Sequence, residues 1–111
     1  SGGNIINIGM AGLEGSRATV HGTDYFVSKT GLLVLTKSLA VAYGEQNIRV
    51  NMVSPGQLDN SIDLPSSREI GAWVPMGRAG RLDDVTQAVE YLLAATYVSG
   101  VNLDISGGYR L

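Results

Sequence analysis

The chain has 111 residues with 8 basic and 10 acidic side chains, a net charge of −2, and 44% hydrophobic against 16% charged residues. This is the composition of one folded domain with a core, not of a disordered segment, and no basic stripe marks it for nucleic acid or an anionic membrane. The absence of cysteine and the single histidine, His21, exclude disulfides, a thiol nucleophile and a metal site built from several histidines.

The apolar runs read as too short and interrupted to span a bilayer, and Ser1-Gly2-Gly3-Asn4 carries no leader pattern. A cysteine-free chain suits a reducing cytoplasm. Residues 4–8, Asn-Ile-Ile-Asn-Ile, form a short β-branched run between glycines and predict a first strand. A loop through Gly12, Gly15 and Gly22 follows, and Thr23 or Asp24 is placed to cap the next helix. That helix is predicted over residues 25–43, with Leu32, Leu35, Leu39 and Ala42 as its apolar face and Gly44 as its end. Residues 48–52 alternate apolar and polar, Val53 extends them, and Ser54-Pro55-Gly56 stops the strand.

Residues 57–80 are rich in proline and glycine and predict a long functional loop with a short helix near residues 66–73. A further helix is expected over residues 83–95, with Val85, Ala88, Val89, Leu92 and Leu93 as its stripe and Asp83-Asp84 at its positive end. Residues 101–105 predict the last strand, running into Ser106-Gly107-Gly108. Strands alternating with helices indicate an α/β fold with a parallel sheet and right-handed crossovers. Three strands fall short of the roughly six of a doubly wound sheet and leave one apolar edge bare. The chain is therefore expected to be part of a larger domain.

Tyr25 and Lys29 stand four residues apart, one above the other on a helical face. A phenol is a poor proton donor or acceptor near neutrality, and an ammonium one turn away favours its ionised form. Such a pair can exchange a proton with a carbonyl or alcohol oxygen. On spacing alone the pair is an ordinary pair of helix-surface neighbours.

Five segments in order give it context. Gly3-Asn4-Ile5-Ile6-Asn7-Ile8 and Tyr25-Phe26-Val27-Ser28-Lys29 resemble the catalytic segment of the short-chain dehydrogenase/reductase family. Residues 48–56, ending in Ser54-Pro55-Gly56, are similar to the family strand that reaches the nicotinamide. Residues 75–85 resemble the entry to the penultimate helix, and residues 99–108 the closing strand with its glycine pair. The general pattern is most like 3-oxoacyl-carrier-protein reductases.

The resemblance implies a Rossmann-like doubly wound sheet of which residues 1–111 are the C-terminal half, with about three strands, two to three helices and no cofactor-binding N-terminal half. It implies an NADP- or NAD-dependent oxidoreductase that interconverts a ketone and a secondary alcohol. Tyr25 would be the general acid and base, and Lys29 would hold the nicotinamide ribose. Pro55, Gly56 and backbone near Leu58 would shape the nicotinamide site, and Asn60 or Ser61 would replace a threonine at the phosphates. The expected partners are a small carbonyl or alcohol substrate and further copies of the chain, as a homodimer or homotetramer packed through the long helix.

The family serine after the first strand is missing. Gly9-Met10-Ala11-Gly12 stand there, so Ser16, Thr19 or Thr23 would have to supply the hydroxyl. Losing such a donor costs on the order of 10²–10³ in rate. A catalytically silent binding or assembly member of the family is the alternative. His21 reads as a loop residue, Trp73 as a packing anchor, and Met10 and Met76 as gap-fillers in the core. Arg78 and Arg81 read as ion-pair or helix-end residues, and Asp104 as a local hydrogen bonder.

Overall fold

The computed structural model describes residues 2–15, 17–59 and 67–110. The three strands are β1 (Gly3–Ile8), β2 (Ile48–Pro55) and β3 (Asn102–Ile105). They form one parallel sheet in the order β1-β2-β3. β1 lies on β2 from Gly3↔Ile48 to Ile8↔Val53, and β2 on β3 from Met52↔Asn102 to Pro55↔Ile105. All three strands thus end at one edge of the sheet.

The helices are α1 (Thr23–Tyr43), continued by a 3-10 turn over Gly44–Gln46, the short α2 (Ser67–Gly71), and α3 (Leu82–Ala94). Neighbouring residues of a strand face opposite sides of a sheet. Met52 packs with Leu13, Phe26 and Leu33 beneath α1. Val53 packs with Ala88 and Leu92 of α3 on the other side. The two helices therefore cover opposite faces, and β2 is sequestered between them: Val50, Asn51, Met52, Val53 and Ser54 are all fully buried. Each such apolar side chain contributes about 1.5–3 kcal/mol by its removal from water.

Buried polar groups in this core are paired. Asn51 donates from Nδ2 to the Val98 carbonyl at 3.1 Å and accepts the Val101 N–H at 3.0 Å, which aligns the entry to β3. Asn7 Nδ2 donates to Thr36 Oγ1 at 3.0 Å and ties α1 to β1. Arg49 supplies the last turn of α3 with donors: Nη1 reaches the Leu92 and Ala95 carbonyls at 2.7 Å each, and Nη2 the Leu93 carbonyl at 3.1 Å. These are carbonyls that a helix leaves unpaired at its C-terminus.

Several boundaries and faces differ from expectation. α1 starts at Thr23, and its cap is Gly22 in the left-handed region (φ 68), with no side-chain cap. The Thr23 hydroxyl instead donates to the Thr19 carbonyl at 2.8 Å. Gly44 keeps right-handed helical geometry, and the left-handed turn falls on Asn47 (φ 58). The buried face of α1 is Phe26, Leu33 and Thr36, not Leu35 and Ala42, which face outward. Leu93 of α3, Trp73 and Met76 are exposed, which corrects their expected core roles. The helix through Gln46 is also long and apolar enough by length and composition to cross a membrane, at 24 residues and mean hydropathy 1.2. In this fold it is the crossover between two parallel strands.

Candidate active site

Ligands of parallel α/β sheets gather beyond the carboxyl ends of the strands. Here three loops leave that edge: residues 9–22 after β1, residues 56–59 after β2, and residues 106–110 after β3. Backbone bonds carry the sheet pairing into them. The Gly9 N–H donates to the Val53 carbonyl at 2.9 Å, Ala11 to Pro55 at 3.1 Å, and Gly56 to Ile105 at 2.9 Å.

Because α1 begins where the first loop ends, its first turn comes back to the same edge. Tyr25 lies in that turn with 56% of its surface exposed. Lys29, one turn on, donates from Nζ to the carbonyl of Ile8, the last residue of β1, at 2.8 Å. Its ammonium stands 5.6 Å from the centre of the Tyr25 ring, within the range of a cation–π contact. The bond to β1 fixes the ammonium beside the tyrosine and leaves two of its three N–H donors for other partners.

Tyr25, Pro55 and Gly56 line one cavity of about 320 Å³, together with Gly9, Met10, Ala11, Gln57, Tyr109 and Arg110. Pro55 ends β2 by withholding a donor. Gly56 approaches closely: a Cβ there would stand 3.1 Å from the Ser106 backbone, tighter than most real Cβ contacts. Leu58 is not among the residues lining this cavity. Its neighbours pair with Gly80 instead, Gly80 N–H to the Gln57 carbonyl at 2.8 Å and Asp59 N–H to the Gly80 carbonyl at 2.9 Å. Ser61, Asn60 and Ser16 lie outside the described residues.

Thr19 and Thr23 do not reach the cavity. The Thr19 hydroxyl donates to the His21 carbonyl at 3.0 Å, and that of Thr23 to the Thr19 carbonyl. Met10 itself stands in the cavity wall, half-buried against the α1 cluster. Among the described residues, the hydroxyls lining the cavity are those of Tyr25 and Tyr109.

Asp104 does more than bond locally. Besides accepting from Asn102 Nδ2 at 3.1 Å, it accepts the Gly12 N–H at 3.2 Å across the edge of the sheet. Ser54, fully buried, donates to Asn102 Oδ1 at 2.6 Å and completes a polar chain under the first loop. Arg78 pairs with Asp84 at 2.9 Å, as an ion-pair residue should. That hydrogen bond, and a second from the Arg81 N–H, hold the Asp84 carboxyl down at about 2. The same contact raises Arg78.

Sequence reasoning did not single out Gln57, Tyr109 and Arg110. The available cue was position: each lies in a loop just beyond the carboxyl end of a parallel strand, where ligands collect.

A family profile described as Enoyl-(Acyl carrier protein) reductase matches residues 1–110. The chain is 38% identical to carbonyl reductase family member 4 of Xenopus laevis, over 99% of this chain and 46% of that protein. It is 35% identical to the 3-oxoacyl-[acyl-carrier-protein] reductase of Homo sapiens, over 99% and 46% respectively. Among solved structures, a blue fluorescent protein from a metagenomic library, in complex with NADPH, superposes with a TM-score of 0.81. It is 34% identical, and the match covers 97% of this chain and 45% of that one. An acetoin dehydrogenase of Salmonella typhimurium superposes with a TM-score of 0.82 at 29% identity, over 97% and 44%. The chain thus spans about half the length of the relatives it matches.

Proposed function

The chain belongs to the short-chain dehydrogenase/reductase family of oxidoreductases, and we propose that it carries the proton-transfer side of a nicotinamide-dependent ketone/alcohol oxidoreductase. We read residues 1–111 as the C-terminal half of one Rossmann-like domain, the nucleotide's adenosine side being held by the other half. The exposed side chains of β1, Ile5 and Ile8 among them, support this, since strands of a parallel sheet are ordinarily buried on both faces. We also read the protein as cytoplasmic and homo-oligomeric.

One observation carries the reading: the Tyr25 phenol and the Pro55-Gly56 bend share one cavity, with the Lys29 ammonium pinned beside the tyrosine. The donor set suits the nicotinamide end of NADP or NAD. Lys29 keeps two N–H groups for the vicinal ribose hydroxyls, Pro55 and Gly56 offer a backbone wall, and no acidic side chain among the described residues lines the cavity. The bound nucleotide supplies the hydride.

The remaining chemistry belongs to this chain. In the reducing direction Tyr25 Oη donates its proton to the carbonyl oxygen as the carbonyl carbon is reduced. In the oxidising direction it takes the proton back from the hydroxyl. Ketone, reduced nucleotide and one proton become alcohol and oxidised nucleotide, so atoms and charge balance. Lys29 orients the ribose and holds positive charge next to the phenol.

The test follows nicotinamide absorbance in the intact protein over a panel of ketones and secondary alcohols. Tyr25→Phe removes the transferable proton and nothing else of size. It should lower kcat by on the order of 10²–10⁴. Unchanged turnover would remove Tyr25 from the chemistry. Nucleotide binding with no turnover on any substrate would favour the catalytically silent reading, for which Met10 in place of a hydroxyl is the motive.

A further inference from the structure

The segment that follows β3 supplies part of the cavity wall through Tyr109 and Arg110. It is built to hold one side chain. Arg110 takes the left-handed backbone conformation (φ 59), unusual for a residue with a Cβ. Arg17 Nη2 bonds the Arg110 carbonyl and the Gly12 carbonyl at 3.3 Å each, and so staples this segment to the first loop. Gly12, at φ 90, permits the contact, since a Cβ there would stand 2.9 Å from that of Arg110. Tyr109 beneath is packed on the Ile70, Val74 and Ala79 cluster.

The guanidinium of Arg110 lies 5.3 Å from the centre of the Tyr109 ring, and its Nε donates to Tyr109 Oη at 3.1 Å. That contact uses one of five N–H donors. The four on Nη1 and Nη2 form the edge that fits a carboxylate in bidentate fashion. Among the described residues, no carboxylate is paired with Arg110. Among the described residues, Arg110 is also the only charged one lining the cavity. At about 320 Å³ the space is at the small end of ligand sites.

We propose that Arg110 is the substrate-recognition residue of this site, and that the substrate is a small oxo acid or hydroxy acid whose carboxylate it binds. The proposal rests on the reading that the cavity reduces carbonyls. It goes beyond that reading by naming the substrate class.

The probes are acetoacetate, levulinate and 5-oxohexanoate, each against its methyl ester. They are titrated by calorimetry into the intact protein carrying oxidised nucleotide, so that no ketone is reduced. At least one acid should bind about 10- to 100-fold tighter than its ester. Arg110→Met should erase that preference and leave ester binding unchanged, whereas Arg110→Lys should keep part of it. The proposal is overturned if no acid is preferred, or if Arg110→Met weakens acid and ester alike, as a merely structural role would. Binding is read without turnover. If acids bind as expected but Tyr25→Phe leaves turnover untouched, the catalytic reading falls and the anion site stands.

Discussion

At the scale of single residues, the site depends on a few positions where a side chain is held, or excluded, by its neighbours. Gly9 is one. A Cβ there would meet the Ser54 hydroxyl and stand 2.7 Å from Met52 Sδ, both fully buried. Replacing glycine by alanine stiffens the unfolded chain and stabilises by about 0.4–1 kcal/mol where the space is free. Overpacking a tight core costs about 1–3 kcal/mol, so the second effect wins. Gly9→Ala should lower the urea midpoint of the intact protein at unchanged slope; a raised midpoint would contradict the packing described here. Helical spacing set Tyr25 and Lys29 on one face, but the pair was singled out in the sequence by the family-like segments around it, not by spacing alone. What spacing could not give was the anchor, the Ile8 carbonyl, which is 21 residues away in the chain. Arg110 was illegible for the same reason: Tyr109 is its chain neighbour, but Arg17 and Gly12 reach it only when the loops after β1 and β3 meet at one edge.

At the scale of elements, the two main helices show opposite legibility. α3 has a clear stripe, and Ala88 and Leu92 are buried as read. α1 is apolar nearly all round, so periodicity could not say which face is inward, and the face chosen from its leucines was partly wrong. Its start was misread by two residues, because Gly22 in the left-handed region precedes it in place of a side-chain cap, whereas its end at Tyr43 before Gly44 was read correctly. The first turn of α3 carries a pH-dependent contact. Asp84 accepts the Arg81 N–H at 2.8 Å as well as bonding Arg78, and its pKa falls from 3.8 to about 2. A carboxyl depressed on folding stabilises above its ordinary pKa and loses that contribution as pH falls through its folded value. The melting-temperature gap between wild type and Asp84→Asn should be full near neutrality, shrink below about pH 4 and vanish near pH 2. A gap independent of pH would mean the lost contact is not ionic. The contact is solvent-exposed, so added salt should narrow the gap too.

At the scale of the whole molecule, the alternation of strands and helices was enough to name an α/β fold with a parallel sheet. The two-sided covering of β2 by α1 and α3 realises it. Two of the open surfaces bear on assembly. One is the outer edge of β1, which we assign to the other half of the domain. The other is the outer face of α1, where Val27, Val34 and Val41 are exposed, the last to 86%. Exposed apolar side chains recurring along one helix suit an association surface, and the oligomer we propose would use it. Val34→Glu with Val41→Glu should lower the mass of the intact protein in light scattering to a smaller assembly while circular dichroism stays unchanged. An unaltered mass would move the interface elsewhere.

The most direct measurement is a crystal structure of the intact protein with its nicotinamide nucleotide bound. The nicotinamide is expected against Pro55-Gly56, the Lys29 ammonium within hydrogen-bond distance of a ribose hydroxyl, about 2.7–3.2 Å, and the Tyr25 hydroxyl facing the reactive ring. A nucleotide seated away from that bend, with Lys29 still spent only on Ile8, would contradict this placement.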